Sequence, residues 1–84
     1  MHESSLIASL IEQVEASARE HDATRVVSVE ILQGALDSSG PEHLREHFTA
    51  AAPGTMLEGA SLRILSNPDP LSTGLVLQSV ELEK

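Results

Sequence analysis

The stretch Arg25-Val26-Val27-Ser28-Val29-Glu30-Ile31-Leu32 decides the fold. β-Branched residues are stiff at χ1 and crowd a helix, but they pack well on a pleated surface. Val27, Val29 and Ile31 alternate onto one face, so the spacing predicts a strand. Upstream, Leu6, Ile7, Leu10, Ile11, Val14 and Ala18 recur at helical spacing, with Glu12, Gln13, Glu15 and Arg19 between them. That pattern predicts an amphipathic helix from about Glu3 to His21, stopped by Asp22-Ala23-Thr24. Downstream, Gly34 to Gly40 reads as a loop. Pro41 then fits a first helical position, where a missing N–H costs nothing, and Glu42 suits the positive end of the helix dipole. Leu44, Phe48 and Ala51 carry this second helix to Pro53-Gly54. Ser61 to Leu65 reads as a short strand with Leu62 and Ile64 inward, broken by Asn67-Pro68-Asp69-Pro70. Leu75 to Leu82 closes the chain as a strand, with Val76, Val80 and Leu82 on one face and Glu81 and Glu83 on the other. The order is α-β-α-β-β. The expected fold class is α/β in the α+β sense, a two-layer sandwich with two helices on one face of a three-stranded sheet.

Size and charge narrow the function. Eighty-four residues form one domain, 1–84, with a small core. The core is aliphatic, because Phe48 is the lone aromatic residue. The chain has no cysteine, so neither a disulfide nor a thiolate zinc site is available. Thirteen Asp and Glu against five Lys and Arg give a net charge of −8, which disfavours nucleic acid and anionic membrane as partners. No basic-then-apolar leader and no run near the ~20 apolar residues of a membrane span are present, so the expected compartment is the cytoplasm. An enzyme is not expected. There is no Cys nucleophile, no Gly-x-Ser-x-Gly context and no phosphate-cradling glycine loop.

One motif carries metal chemistry. The chain opens Met1-His2-Glu3. His2 is bulky, so the initiator Met is expected to be retained. The terminal amine and the His2 amide nitrogen close a five-membered chelate ring, and the His2 amide and imidazole Nδ1 a six-membered one. Three coplanar nitrogens suit Ni(II) or Cu(II). Glu3 could add a carboxylate or amide ligand, or serve only as a first-turn acid on the helix dipole. His43 and His47 stand four apart on the second helix and can share a side, a spacing able to hold a metal, although no third strong ligand is evident. The plainer reading is two solvated helix histidines beside Glu42 and Glu46. His21 suits the negative end of the first helix. Asp37, Ser38 and Ser39 suit turn and cap chemistry, and Gly54 and Gly59 suit backbone turns.

Several stretches together resemble the HypA family, the nickel-incorporation proteins of [NiFe]-hydrogenase maturation. They are the Met-His-Glu start, Arg25 to Ile31 leading to Gly34 and Leu36, Pro41-Glu42-x-Leu44 with Phe48, and Gly54-Thr55-x-x-Glu58-Gly59-Ala60-x-Leu62-x-Ile64. The motifs fall in order and span nearly the whole chain. The resemblance implies a nickel-binding domain whose site is the amino-terminal Met-His. It implies Ni(II) as transient cargo, and a HypB-like GTPase and a [NiFe]-hydrogenase large-subunit precursor as partners.

The departures are equally specific. Family members carry a zinc lobe of two Cys-x-x-Cys pairs before the last strand; here Pro68 to Thr73 stands in that place, within a short linker of about 67–74, and no zinc is expected. The family's acidic residue after the strand-end glycine is Ala35. Two functions remain: a nickel metallochaperone acting through Met1, His2 and Glu3, or a metal-free docking protein for a maturation GTPase or hydrogenase subunit.

Overall fold

A computed structural model describes residues 3–37 and 40–84, with side chains from Ser5 onward. The elements are α1 (Glu3–Glu20), β1 (Arg25–Gln33), α2 (Pro41–Ala51), β2 (Ser61–Ser66) and β3 (Leu75–Glu83). They form the expected α+β two-layer arrangement. The sheet order is β2-β1-β3, with β1 parallel to β2 and antiparallel to β3. The most β-branched strand is therefore the central one, where both edges are paired. α1 lies against β1 and β3, α2 lies against β2, and the two helices touch each other.

Ile7, Leu10, Ile11, Val14 and Ala18 of α1 meet Leu44 and Phe48 of α2 over Val26, Val29, Ile31 and Leu62 of the sheet. Leu57, from the loop after α2, is fully buried beside them. No polar or charged residue is buried among the described residues, so the core rests on aliphatic burial, at ~25 cal/mol per Å² of apolar surface.

α1 stops through its backbone. Asp22 takes a left-handed φ of 55°, Asp22 N–H donates to the Arg19 carbonyl, and Ala23 N–H donates to the Ala18 carbonyl. This is the paired C-terminal closure that normally favours glycine. Asp is among the few other residues that enter that region readily. Ala23 then packs against the core, which turns the chain into β1.

Two face assignments need correcting. Val27 is only half-buried, and Val26, Val29 and Ile31 are the inward residues of β1. Likewise Val76 is 45% exposed, while Leu75, Leu77, Val80 and Leu82 pack on the core. The cause is a pair of register shifts between β1 and β3. Val26 opposes Leu82 and Ser28 opposes Glu81, so Val27 is an extra residue on β1. Glu30 opposes Ser79 and Ile31 opposes Leu77, so Gln78 is an extra residue on β3. Each extra residue exchanges the faces of the residues beyond it.

Parallel pairing of β1 and β2 requires α2 to carry the chain back along the sheet. α2 therefore runs opposite to both strands, and α1, which ends where β1 begins, runs the same way as α2. The Glu15 carboxylate accepts the Met56 N–H at 3.0 Å, joining the later half of α1 to the loop that follows α2. Both helices thus begin at the end of the sheet where β1 and β2 finish.

Candidate metal-binding end of the domain

Three features converge at that end. α1 opens at Glu3, α2 opens at Pro41, and the chain leaves β1 and β2 there. The two loops are tied backbone to backbone. Asn67 N–H donates to the Gln33 carbonyl at 2.9 Å, Gly34 N–H to the Gly74 carbonyl at 2.8 Å, and Leu36 N–H to the Ser72 carbonyl at 3.0 Å. The Ser72 hydroxyl accepts the Ala35 N–H at 2.9 Å, and the Asp37 carboxylate accepts the Gly74 N–H at 3.3 Å. Within residues 67–74, Asn67 and Asp69 accept the N–H groups two residues on, as turn-forming Asx side chains do. The segment between β2 and β3 is thus a folded loop braced against the exit of β1.

Glu3 is the first residue of α1. Met1 and His2, the core of the expected nickel chelate, lie outside the described residues. Among the described residues no group of three or more His, Asp or Glu side chains is gathered closely enough to hold a metal ion. A site of three such ligands needs at least one donor from outside the described residues.

Other expected roles sort cleanly. His21 Nδ1 lies 2.8 Å from the Ser17 carbonyl, at the end of α1 where an imidazole suits the helix dipole. Asp37 does not cap α2. The N-cap is Gly40, with extended backbone and no side-chain hydrogen bond, and Pro41 stands next to it at the first helical position. Asp37 instead braces Gly74, while Ser38 and Ser39 lie outside the described residues. Gly54 and Gly59 have φ of 83° and 78°, which confirms their turn role. Arg45 Nη1 donates to the Leu62 carbonyl at 2.6 Å and fastens α2 to β2. The sequence does not suggest the contacts of Glu15, Arg45 or Ser72, because each partner is a backbone group distant in the chain.

Comparison with known proteins defines the class as the family of nickel-incorporation metallochaperones. A family model described as hydrogenase/urease nickel incorporation, metallochaperone, HypA, matches residues 1–72. Hydrogenase maturation factor HypA of Chlorobium limicola is 47% identical over 64 residues, covering 76% of this chain and 55% of that protein. Hydrogenase maturation factor HypA 1 of Bradyrhizobium diazoefficiens is 36% identical over 84 residues, covering 100% of this chain and 74% of that protein. The solution structure of the Ni metallochaperone HypA from Helicobacter pylori superposes with a TM-score of 0.83 at 16% identity, over 99% of this chain and 98% of that one, and so supports the fold. The chain belongs to the HypA family, a family of metallochaperones rather than enzymes. It spans between half and two thirds of the length of several curated relatives, 55% of the Chlorobium protein and 64% of that from Prosthecochloris aestuarii.

Proposed function

We propose that this domain is a nickel carrier for maturation of a [NiFe]-hydrogenase, taking Ni(II) through the Met1 amine, the His2 amide and imidazole, and Glu3. Family membership supports the class of work. The carrying observation is that α1 begins at Glu3, on the end where both helices start and both strand-exit loops are braced. A chelate at Met1 and His2 adjoins the first residue of α1 in sequence, so this end of the domain is where a transfer partner would need to bind. Glu3 fills the fourth position of the square plane beside the three nitrogens, and is the ligand that a recipient's donor can displace.

The partners are a HypB-like GTPase and the hydrogenase large-subunit precursor, approaching this same end. Leu36 and Leu71, in the loops leaving β1 and β2, are exposed at 59% and 77% and offer apolar contact to a partner at this end, with Glu3, Ser4, Ser5 and Asp37 expected at or near the contact. This reading includes no zinc lobe: residues 67–74 are a folded loop with Asx turns, and the sequence has no cysteine for a thiolate site. It catalyses no reaction of its own. Its place of action is the cytoplasm; among the described residues no helix is long and apolar enough to cross a membrane.

Calorimetric titration of the untagged chain with Ni(II) tests the reading. About one ion should bind through the amino terminus, with Cu(II) tighter by the usual divalent order. His2→Ala, or any residue placed before Met1, should remove that site; unchanged binding in either protein sinks the proposal. The second reading, a metal-free docking protein, is favoured if maturation partners co-purify with His2→Ala and hydrogenase activity stays intact.

A further inference from the structure

We propose that His43 and His47 form a second metal site, a two-imidazole clamp on α2 for a divalent late first-row ion. Residues four apart on a helix are neighbours on its surface, and two histidines at this spacing on one helical face are a recurrent zinc-binding arrangement. Imidazole suits nickel, copper and zinc alike.

The surroundings favour this pair over the other described histidine. The His21 ring is engaged with the Ser17 carbonyl. His43 is exposed and His47 half-buried, and neither ring makes a hydrogen bond or ion pair with another described residue. Their nitrogens are therefore available without first breaking an internal contact. The one cation of α2, Arg45, is drawn to the opposite flank by the Leu62 carbonyl. Glu42 and Glu46 share α2 with the histidines but line one surface with Arg45 and Thr49, so the two imidazoles alone define the clamp.

Position gives the site a use. The buried stripe of α2 runs through Leu44 and Phe48. Arg45 marks the flank turned to β2, so His43 and His47 occupy the flank turned to α1. They lie in the first two turns of α2, at the end where α1 also begins. No third ligand is gathered there among the described residues. The clamp is thus bidentate and exchangeable, suited to receiving an ion before the amino-terminal chelate takes it. Only this order of use rests on the nickel-carrier reading; the clamp itself does not.

The test uses the full chain made with an acetylated amino terminus, which removes the Met1 amine as a ligand. Ni(II) alone is titrated and followed by calorimetry and by amide NMR spectra. The acetylated chain should bind one Ni(II), with paramagnetic broadening centred on residues 43–48. His47→Gln in that background should lower affinity by about tenfold or more, since losing even an outer partner of a ligand costs roughly 10–100-fold. His43→Gln should do the same, and circular dichroism should show both variants folded. An acetylated chain that binds no Ni(II), broadening that avoids α2, or unchanged affinity in folded His47→Gln overturns the clamp. Loss of Ni(II) binding on acetylation overturns the clamp while leaving the amino-terminal carrier standing, so the two failures are distinguishable.

Discussion

Gly34 and Thr73 pack backbone against backbone: a Cβ on Gly34 would fall on the Thr73 Cα and lie 2.8 Å from the Ser72 carbonyl oxygen. No flexible side chain is available to yield, because every atom in the way belongs to the main chain. Gly34→Ala should therefore cost about 1–3 kcal/mol, the range for overpacking a close-packed site. A thermal melt should show the loss as a drop of roughly 4–8 °C per kcal/mol for a domain of this size. Gly54 offers the contrast. A Cβ there meets nothing within 4 Å, but the φ of 83° is unfavourable for L side chains. Gly54→Ala should destabilise through backbone strain of about 1–2 kcal/mol, and Gly54→Asn should recover part of it. No such recovery is expected for Gly34→Asn.

The Glu15 carboxylate is 17% exposed and receives the Met56 N–H at 3.0 Å, whereas Arg19 stands 4.0 Å away with its own side chain 66% exposed. The first contact satisfies a partly buried backbone donor. The second is a surface ion pair of little worth. Glu15→Ala should cost about 1–3 kcal/mol by leaving Met56 N–H without its acceptor. Arg19→Ala should stay within about 0.5 kcal/mol of the parent. Urea unfolding of the two variants separates these outcomes, and equal losses would contradict the assignment.

The extra residues at Val27 and Gln78 make a third pair of expectations. Leu77→Ala should cost about 2–4 kcal/mol, as truncation of an inward leucine does. Val76→Thr should be nearly neutral, because Val76 faces out with Leu32 and Leu65 beside it in register. If Val76 proves the costlier position, the shift at Gln78 is misplaced.

Val27 and Gln78 also mark the limit of what is legible in the sequence. The helix at Leu6–Ala18 and the strand at Arg25–Leu32 are legible because burial imposes a period on one segment at a time. A bulge is a property of two strands together, so neither Val27 nor Gln78 carries a mark of its own. Strict alternation therefore puts Val27 and Val76 on the wrong faces. The site divides the same way. The chelate proposed at Met1-His2 needs only adjacent residues, so the expectation of it forms from the sequence alone. The meeting of α1, α2 and the two loops depends on β1 and β2 being parallel, which no single segment reveals. Asp37 illustrates the consequence: its composition suggests a cap, but its partner is Gly74, 37 residues away.

Fold and metal should be separable. The buried set is wholly apolar, drawn from both helices, from β1 and β2, and from Ala52 and Leu57 after α2, and no described cluster of ligands cross-links these elements. Metal that binds only the folded chain stabilises it by mass action, and a structural metal would make the melting temperature depend on chelator. For this chain, excess EDTA should leave the far-ultraviolet circular dichroism unchanged and move the melting temperature by less than about 2 °C. Added Ni(II) should raise it, with a larger rise at higher pH, because the terminal amine and imidazole must be deprotonated to coordinate. The two measurements answer different questions. A collapse of structure in EDTA would reveal a structural metal and refute independence from zinc. A Ni(II)-induced rise that disappears in the acetylated His43→Gln/His47→Gln chain would show that the ion acts through the amino terminus and α2 rather than through the general acidity of the surface.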